Sequence, residues 1–289
     1  MATLRATAIL IMFIVTTLIC IPLQSLALKL DSRLRQRIPL IYHRFFCALM
    51  GARVKIIGTP ATGGVLLSAN HVGWLDIPIL SAITPVSFVA KEEVGAWRFF
   101  GTLARLQRTI FVRRVRTKAR DDRDSIHKRL TEGEAVVIFP EGTSSDGNRV
   151  LPFKSSLFSV AELPLGEDKD HHAIYAPVQP VSVAYVGLHG LPMGRENRPF
   201  FAWYGDMELV PHLWQAWEMG PIDVVVEFHK PVTIGETGGR KQLAAAAEAA
   251  VRDGVVRALT GGSASPPALT DETLIEALEE GEAEPEEAP

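Results

Sequence analysis

Cysteine is nearly absent from these 289 residues: only Cys20 and Cys47 occur, both in apolar stretches and without CxxC spacing. A disulfide scaffold and a thiolate zinc site are thereby excluded. No GxSxG occurs, so the signature of a nucleophile-elbow serine hydrolase is missing. GxGxxG is missing too, and the P-loop-like spacing from Gly58 to Gly64 carries Gly64 where the phosphate-binding lysine belongs. Nucleotide binding has no support. His171-His172, after Glu167-Asp168-Lys169-Asp170, reads as a solvated loop and not as a metal site. Bases are absent from residues 271–289, which hold nine acids; without those acids the formal charge of −3 becomes +6. A basic body suits an anionic membrane, an acidic substrate or nucleic acid. At 47% hydrophobic and 22% charged residues, the chain is neither disordered nor collagen-like and has room for one sizeable core.

Charge is also missing from Ala6 to Leu28. A helix of that length extends roughly 34 Å, against about 30 Å of bilayer hydrocarbon. Ser25-Leu26-Ala27 resembles a signal-peptidase site. The length of the run, and a second apolar stretch from Ile38 to Met50 broken by His43 and Arg44, favour a spanning helix or a membrane-embedded hairpin. Lys29, Arg33, Arg35 and Arg37 follow the first run. They place the body on the cytoplasmic face of the inner membrane, or rest on anionic headgroups beside a monotopic anchor.

Beyond residue 51 short apolar runs alternate with helical stretches. Val54–Ile57, Gly64–Ser68, Val86–Ala90, Thr109–Val112, Ala135–Phe139, Val178–Ala184 and Val224–Phe228 read as strands. Val94–Leu106, Thr117–Glu132, Leu209–Glu218 and Arg240–Leu259 read as helices. This predicts an α/β fold, a mostly parallel or mixed sheet covered by helices, after an N-terminal membrane-associated segment. The domains expected are an anchor at 1–50, a catalytic domain at 51–260 and an acidic disordered tail at 261–289. Trp97, Phe99, Phe100 and Leu103 read as core.

Two segments carry chemistry. Asn70-His71-Val72-Gly73-Trp74-Leu75-Asp76 follows a buried strand, with an imidazole and a carboxylate five positions apart. On a regular helix they would stand about 140° apart, so they meet only if the chain turns between them. Gly73 permits the turn, Asp76 suits a helix N-cap, and Pro78 is tolerated in the first helical turn. A histidine with a carboxylate folded onto it is an arrangement for general-base catalysis. Phe139-Pro140-Glu141-Gly142-Thr143-Ser144-Ser145 closes another strand, and Phe153-Lys154-Ser155-Ser156 follows. Ligands of open α/β sheets gather beyond the strand C-termini, so both segments are placed at one crevice.

Taken together, these stretches resemble the 1-acylglycerol-3-phosphate acyltransferase family over about residues 50–235. Asn70 to Asp76 looks like its NHxxxxD box. Arg108-Thr109-Ile110-Phe111-Val112-Arg113-Arg114, Phe139 to Thr143 and Val178-Gln179-Pro180-Val181 look like its second, third and fourth blocks. The resemblance implies His71 as general base and Asp76 as its orienting carboxylate. It also implies an acceptor site drawn from Asn70, Arg113, Arg114, Glu141, Gly142, Thr143, Ser144 and Lys154. The implied donor is an acyl thioester on acyl carrier protein or coenzyme A, with membrane lipids as partners and neither cofactor nor metal. A thioesterase or lysolipid hydrolase would use the same dyad with water.

Three departures stand out: Arg108 where the second block usually opens with glycine, Ser144 where the third commonly continues with arginine, and Ser156 where FKxG has glycine. A serine hydroxyl cannot replace a bidentate phosphate clamp. Glu141 to Gly147, with Phe201-Ala202-Trp203-Tyr204-Gly205-Asp206, looks more like the branch that acylates lyso-ornithine lipid than like the enzymes that make phosphatidic acid. The stretch Arg98–Arg129 holds eleven bases against three acids. Without a nucleic-acid fold signature, it fits anionic lipid or acyl carrier protein better than nucleic acid.

Overall fold

The computed structural model describes residues 1–113, 119–167 and 169–261. Arg114 and nearly all of the acidic tail lie outside them. Two helices open the chain, α1 (Ala2–Lys29) and α2 (Leu34–Met50). Then come β1 (Arg53–Ile57), β2 (Leu66–Ala69), α3 (Asp76–Ile83), β3 (Ser87–Lys91), α4 (Glu92–Gly95), α5 (Arg98–Leu106) and β4 (Ile110–Val112). The second half runs α6 (Ala119–Thr131), β5 (Val136–Ile138), β6 (Pro164–Glu167), β7 (Ala173–Tyr175), β8 (Val178–Leu188) and β9 (Leu191–Pro192). It ends with α7 (Leu209–Met219), β10 (Ile222–Phe228), α8 (Ile234–Thr237) and α9 (Arg240–Thr260).

The main sheet has the order β1-β10-β8-β2-β5-β3-β4, with β9 beside β8. β2 lies parallel to both β5 and β8, and β3 lies parallel to β5 and β4, while β10 runs antiparallel to β8. This is the mostly parallel, helix-covered sheet expected. Alternate residues of the central strands supply opposite layers, as a pleat of period two requires. Leu67 and Val137 join Phe46, Ile79, Leu80 and Trp217 on one face. Leu66 and Val136 join Leu130, Phe158 and Val251 on the other. Because β2, β5, β3 and β4 run the same way, the segments following all four emerge at one edge.

Three features differ from the sequence reading. The helix expected at Val94–Leu106 is two helices, because Trp97 adopts an extended backbone between them. Gly101 lies so close to the Gly95 carbonyl that an added Cβ would stand 2.5 Å from its oxygen, a contact only this break and these glycines allow. β6 and β7, not expected as strands, pair antiparallel on either side of the segment read as a solvated loop, where His171, with a left-handed backbone, and His172 are exposed. Trp97 and Phe99 are 38% and 40% exposed, so they are not core. Their rings meet Trp203 and Phe13 at the rim of the domain, over a groove of about 380 Å³.

α1 lies along the domain. Arg5 donates to the carbonyls of Trp217 and Met50, and Gln24 donates to Leu106 O and Arg35 O at 2.9 Å each. Ala6, Ile9, Thr17, Gln24 and Ala27 form the buried stripe, at helical spacing. Ile11, Ile14, Val15, Leu18, Leu23 and Leu26 remain exposed on the other side.

Candidate functional site

β2 ends at Ala69, and the chain then turns sharply through Val72 and Gly73 before entering α3 at Asp76. The turn is closed by Asp76 itself. Its Oδ2 accepts the backbone N–H groups of Val72 at 2.7 Å and Gly73 at 3.0 Å, and lies 2.8 Å from His71 Nδ1. Asp76 is the first helical residue, and Leu75 occupies the N-cap position where Asp76 was expected. Its carboxylate thus serves the turn before the helix, as a cap would, while also holding the imidazole.

Asp76 is fully buried, whereas the His71 side chain is 20% exposed. A carboxylate in that position accepts the Nδ1 proton, which leaves the lone pair on Nε2 toward solvent. The His71 ring stacks on Phe139, centroids 4.0 Å apart at 19°. The sequence marked Phe139 as a strand end and as the first residue of the third block; here its ring is the platform on which the His71 imidazole rests.

Glu141 is buried beside this pair. Its Oε1 accepts the His71 backbone N–H at 3.3 Å, and Oε2 has no hydrogen-bond partner among the described residues. Burial pushes its carboxyl up to about 8, against the opposing pull of the His71 and Leu151 N–H groups and with a further push from Asp76 and Glu248. At neutral pH the group is mostly a neutral acid, able to donate from the oxygen that lacks a partner. Gly142 takes a left-handed φ of 71°, and an added Cβ there would lie 2.6 Å from Lys154 Nζ. The glycine lets the lysine fold over the loop. Thr143 is exposed. Ser144 Oγ donates to the Trp203 carbonyl at 2.5 Å.

The structure therefore gathers His71, Asp76, Glu141, Gly142, Ser144 and Lys154. It does not bring Asn70 and Arg113 into the same opening. Asn70 is 2% exposed and exchanges two hydrogen bonds with the Val183 backbone, so its amide extends the β2–β8 ladder. Arg113 follows β4, three strand spacings or roughly 14 Å from β2, and pairs with Glu92 at 2.8 Å. Arg108 has a left-handed φ of 67°, a conformation that glycine adopts without strain. It is 9% exposed and points into an ion cluster with Glu134.

A second hydroxyl–imidazole–carboxylate line, Ser182, His229 and Glu227, lies beneath α9. Ser182 is 2% exposed and donates to the Val251 carbonyl at 2.9 Å, so the imidazole donates to it and no base faces the hydroxyl. This line packs α9 onto the sheet. Among the described residues, no group of three or more His, Cys, Asp or Glu could hold a metal ion.

Comparison with known proteins bears on family and fold. The profile of a family described as Acyltransferase matches residues 53–184. A lyso-ornithine lipid O-acyltransferase from Brucella abortus is 42% identical over 261 residues, 90% of this chain and 97% of that protein. One from Rhizobium meliloti is 42% identical over 80% of this chain and 79% of its own. A 1-acyl-sn-glycerol-3-phosphate acyltransferase from Neisseria gonorrhoeae is 32% identical over 68% of this chain and 72% of its own. The crystal structure of a 1-acyl-sn-glycerophosphate acyltransferase from Thermotoga maritima superposes with a TM-score of 0.60 at 22% identity. It covers 92% of this chain and all of that one, and is a likeness of fold.

Proposed function

We propose, since the chain belongs to the acyltransferase family, that it moves an acyl chain from a thioester to a free hydroxyl of a lysolipid, with lyso-ornithine lipid as the favoured acceptor. The observation that carries this reading is the pair His71 and Asp76, which holds one imidazole nitrogen and leaves the other at the opening. A lipid hydroxyl is a poor nucleophile at neutral pH, so Nε2 takes its proton as the oxygen attacks the thioester carbonyl. The tetrahedral intermediate collapses with cleavage of the C–S bond. The departing thiolate recovers the proton from Nε2, and Asp76 stabilises the imidazolium between these steps. No side-chain nucleophile is needed, because the thioester is already activated.

Ser144 favours the zwitterionic acceptor. Where a phosphate clamp would stand, a short hydroxyl is tied to a backbone carbonyl, and the Arg113 guanidinium is engaged by Glu92. The two Lyso-ornithine lipid O-acyltransferase relatives at 42% identity support the same acceptor. The donor is a thioester of acyl carrier protein or coenzyme A, and the basic surface around α5 and α6 favours the acidic carrier protein.

The enzyme is membrane-associated, and we place it on the cytoplasmic face of the inner membrane as a monotopic protein. The anchoring points of α1, Arg5 and Gln24, are 19 positions or roughly 28 Å apart along the helix. An upright span would have to break one end of that contact. The bare apolar side of α1 instead enters the lipid, with exposed Lys29, Arg33 and Arg37 at headgroup level.

The test is a panel assay with purified enzyme, offering thioesters of both carriers to lyso-ornithine lipid, lysophosphatidate and water. Acylated lyso-ornithine lipid is expected, and His71→Ala should lower its formation by roughly two to four orders of magnitude. Free fatty acid without any acylated acceptor would establish a hydrolase.

A further inference from the structure

The catalytic carboxylate has a second oxygen, and one side chain holds it. Tyr185 Oη donates to Asp76 Oδ1 at 2.7 Å, while Oδ2 serves His71 and the turn. Both residues are buried to within 1% exposure. Their meeting depends on register. Parallel pairing of β2 with β8 ends at Ala69 and Val181, and Asn70 then continues it by exchanging hydrogen bonds with Val183. Two residues further on, the same face of β8 presents Tyr185 to the first residue of α3, in the layer that also holds Val181 and Val183.

We propose that Tyr185 is a positioning residue of the acyl-transfer reaction, acting through Asp76 on His71, with Asn70 setting the strand register that delivers it. This rests on the general-base reading of His71. With donors on Oδ2 alone, the carboxylate would be held about its Cβ–Cγ bond from one side only and could tilt away from the imidazole. The phenol holds the other side, so Oδ2 stays facing the imidazole along the line of its Nδ1–H. It also disperses part of the Asp76 charge, which keeps the proton from the acceptor hydroxyl on the imidazole and not on the carboxylate. Burial and the Asp76 charge hold the phenol well above its ordinary range, so it remains a donor throughout the working pH range.

The experiment compares Tyr185→Phe with wild type in the full-length enzyme with thioester and lysolipid. A roughly ten- to hundredfold fall in kcat is expected, with little change in KM for either substrate, since one hydrogen bond to a charged group is lost. The acid limb of the kcat/KM profile should move to higher pH, because a carboxylate with one donor fewer attracts the imidazolium proton more strongly. In an Asp76→Ala background, Tyr185→Phe should cost almost nothing further. Equal losses in both backgrounds, or wild-type kcat with an unmoved acid limb, would overturn the proposal. Should Tyr185→Phe fail to fold, difluorotyrosine at 185, a stronger donor of the same shape, should move the acid limb to lower pH, and an unmoved limb would overturn it. A fully active His71→Ala protein would instead remove the general-base reading beneath it.

Discussion

Trp203 and Ser144 are joined through the backbone of one and the hydroxyl of the other, Ser144 Oγ donating to the Trp203 carbonyl at 2.5 Å. The Trp203 N–H donates in turn to Val72 O at 3.0 Å. One residue of the 201–206 segment therefore bridges the turn after His71 and the loop after Glu141. A serine is short enough to sit at that junction; an arginine would have to send its guanidinium elsewhere and leave the Trp203 carbonyl without this donor.

Ser144→Arg should consequently shift acceptor preference toward lysophosphatidate by roughly ten- to a hundredfold, the contribution of one charge-assisted bond. The ratio of kcat/KM values for the two lysolipids measures this. An unchanged ratio in a folded protein would mean that Ser144 does not face the headgroup.

Gly73→Ala tests the bridge from the other side. A Cβ at Gly73 would stand 2.7 Å from Trp203 N and 3.0 Å from its Cβ, so the bridging segment must move. A destabilisation of about 1–3 kcal/mol is expected from the overpacking, with loss of acyl transfer. Gly166→Ala, where nothing among the described residues lies within 4 Å, is the control and should leave both unchanged. Thermal melts and turnover of the two variants decide the matter.

Glu141 carries a pH signature. Its folded pKa of about 8 lies above the ordinary 4.5, so the native state binds a proton that the unfolded state releases between those values. Stability from this group is complete below about pH 4.5 and is lost as pH rises through 8. Glu141→Gln, which keeps the shape and the neutral charge, should be more stable than wild type at pH 8.5, with the advantage vanishing toward pH 5. Denaturant midpoints across that range would show the slope, and a constant difference would refute it.

Replacing Leu18, Leu23 and Leu26 by serine should reduce binding to anionic vesicles severalfold while leaving the fold intact, since all three side chains are more than half exposed. Co-sedimentation against circular dichroism separates the two effects. Undiminished binding would show that the lipid face lies elsewhere.

The two chemical segments and the strand–helix alternation were legible in the sequence because they follow from local rules: apolar runs of strand length, a glycine where the chain turns, and a polar cluster after each run. The left-handed conformation of Arg108 gives the departure from glycine there a physical meaning, since φ is set by the turn before β4 and not by the side chain. The resemblance implies Asn70 as a site residue because it opens the NHxxxxD box; only the pairing of β2 with β8 assigns its amide to Val183, 113 positions away.

What the sequence by itself determined is the set of groups able to do the chemistry and the layer architecture that collects strand ends at one edge. The tertiary structure decided which of those groups meet. Tyr185 stands one position beyond the strand read at Val178–Ala184, which the structure extends to Leu188, and its one signal was a hydroxyl that must find a partner once buried. The side of α1 that packs on the domain, which includes Thr17 and Gln24, could not be told from its exposed side in a run without charges. Both depend on which strands lie side by side and which helix face finds the sheet, and such contacts between distant parts of the chain are decided by the packing of the whole domain.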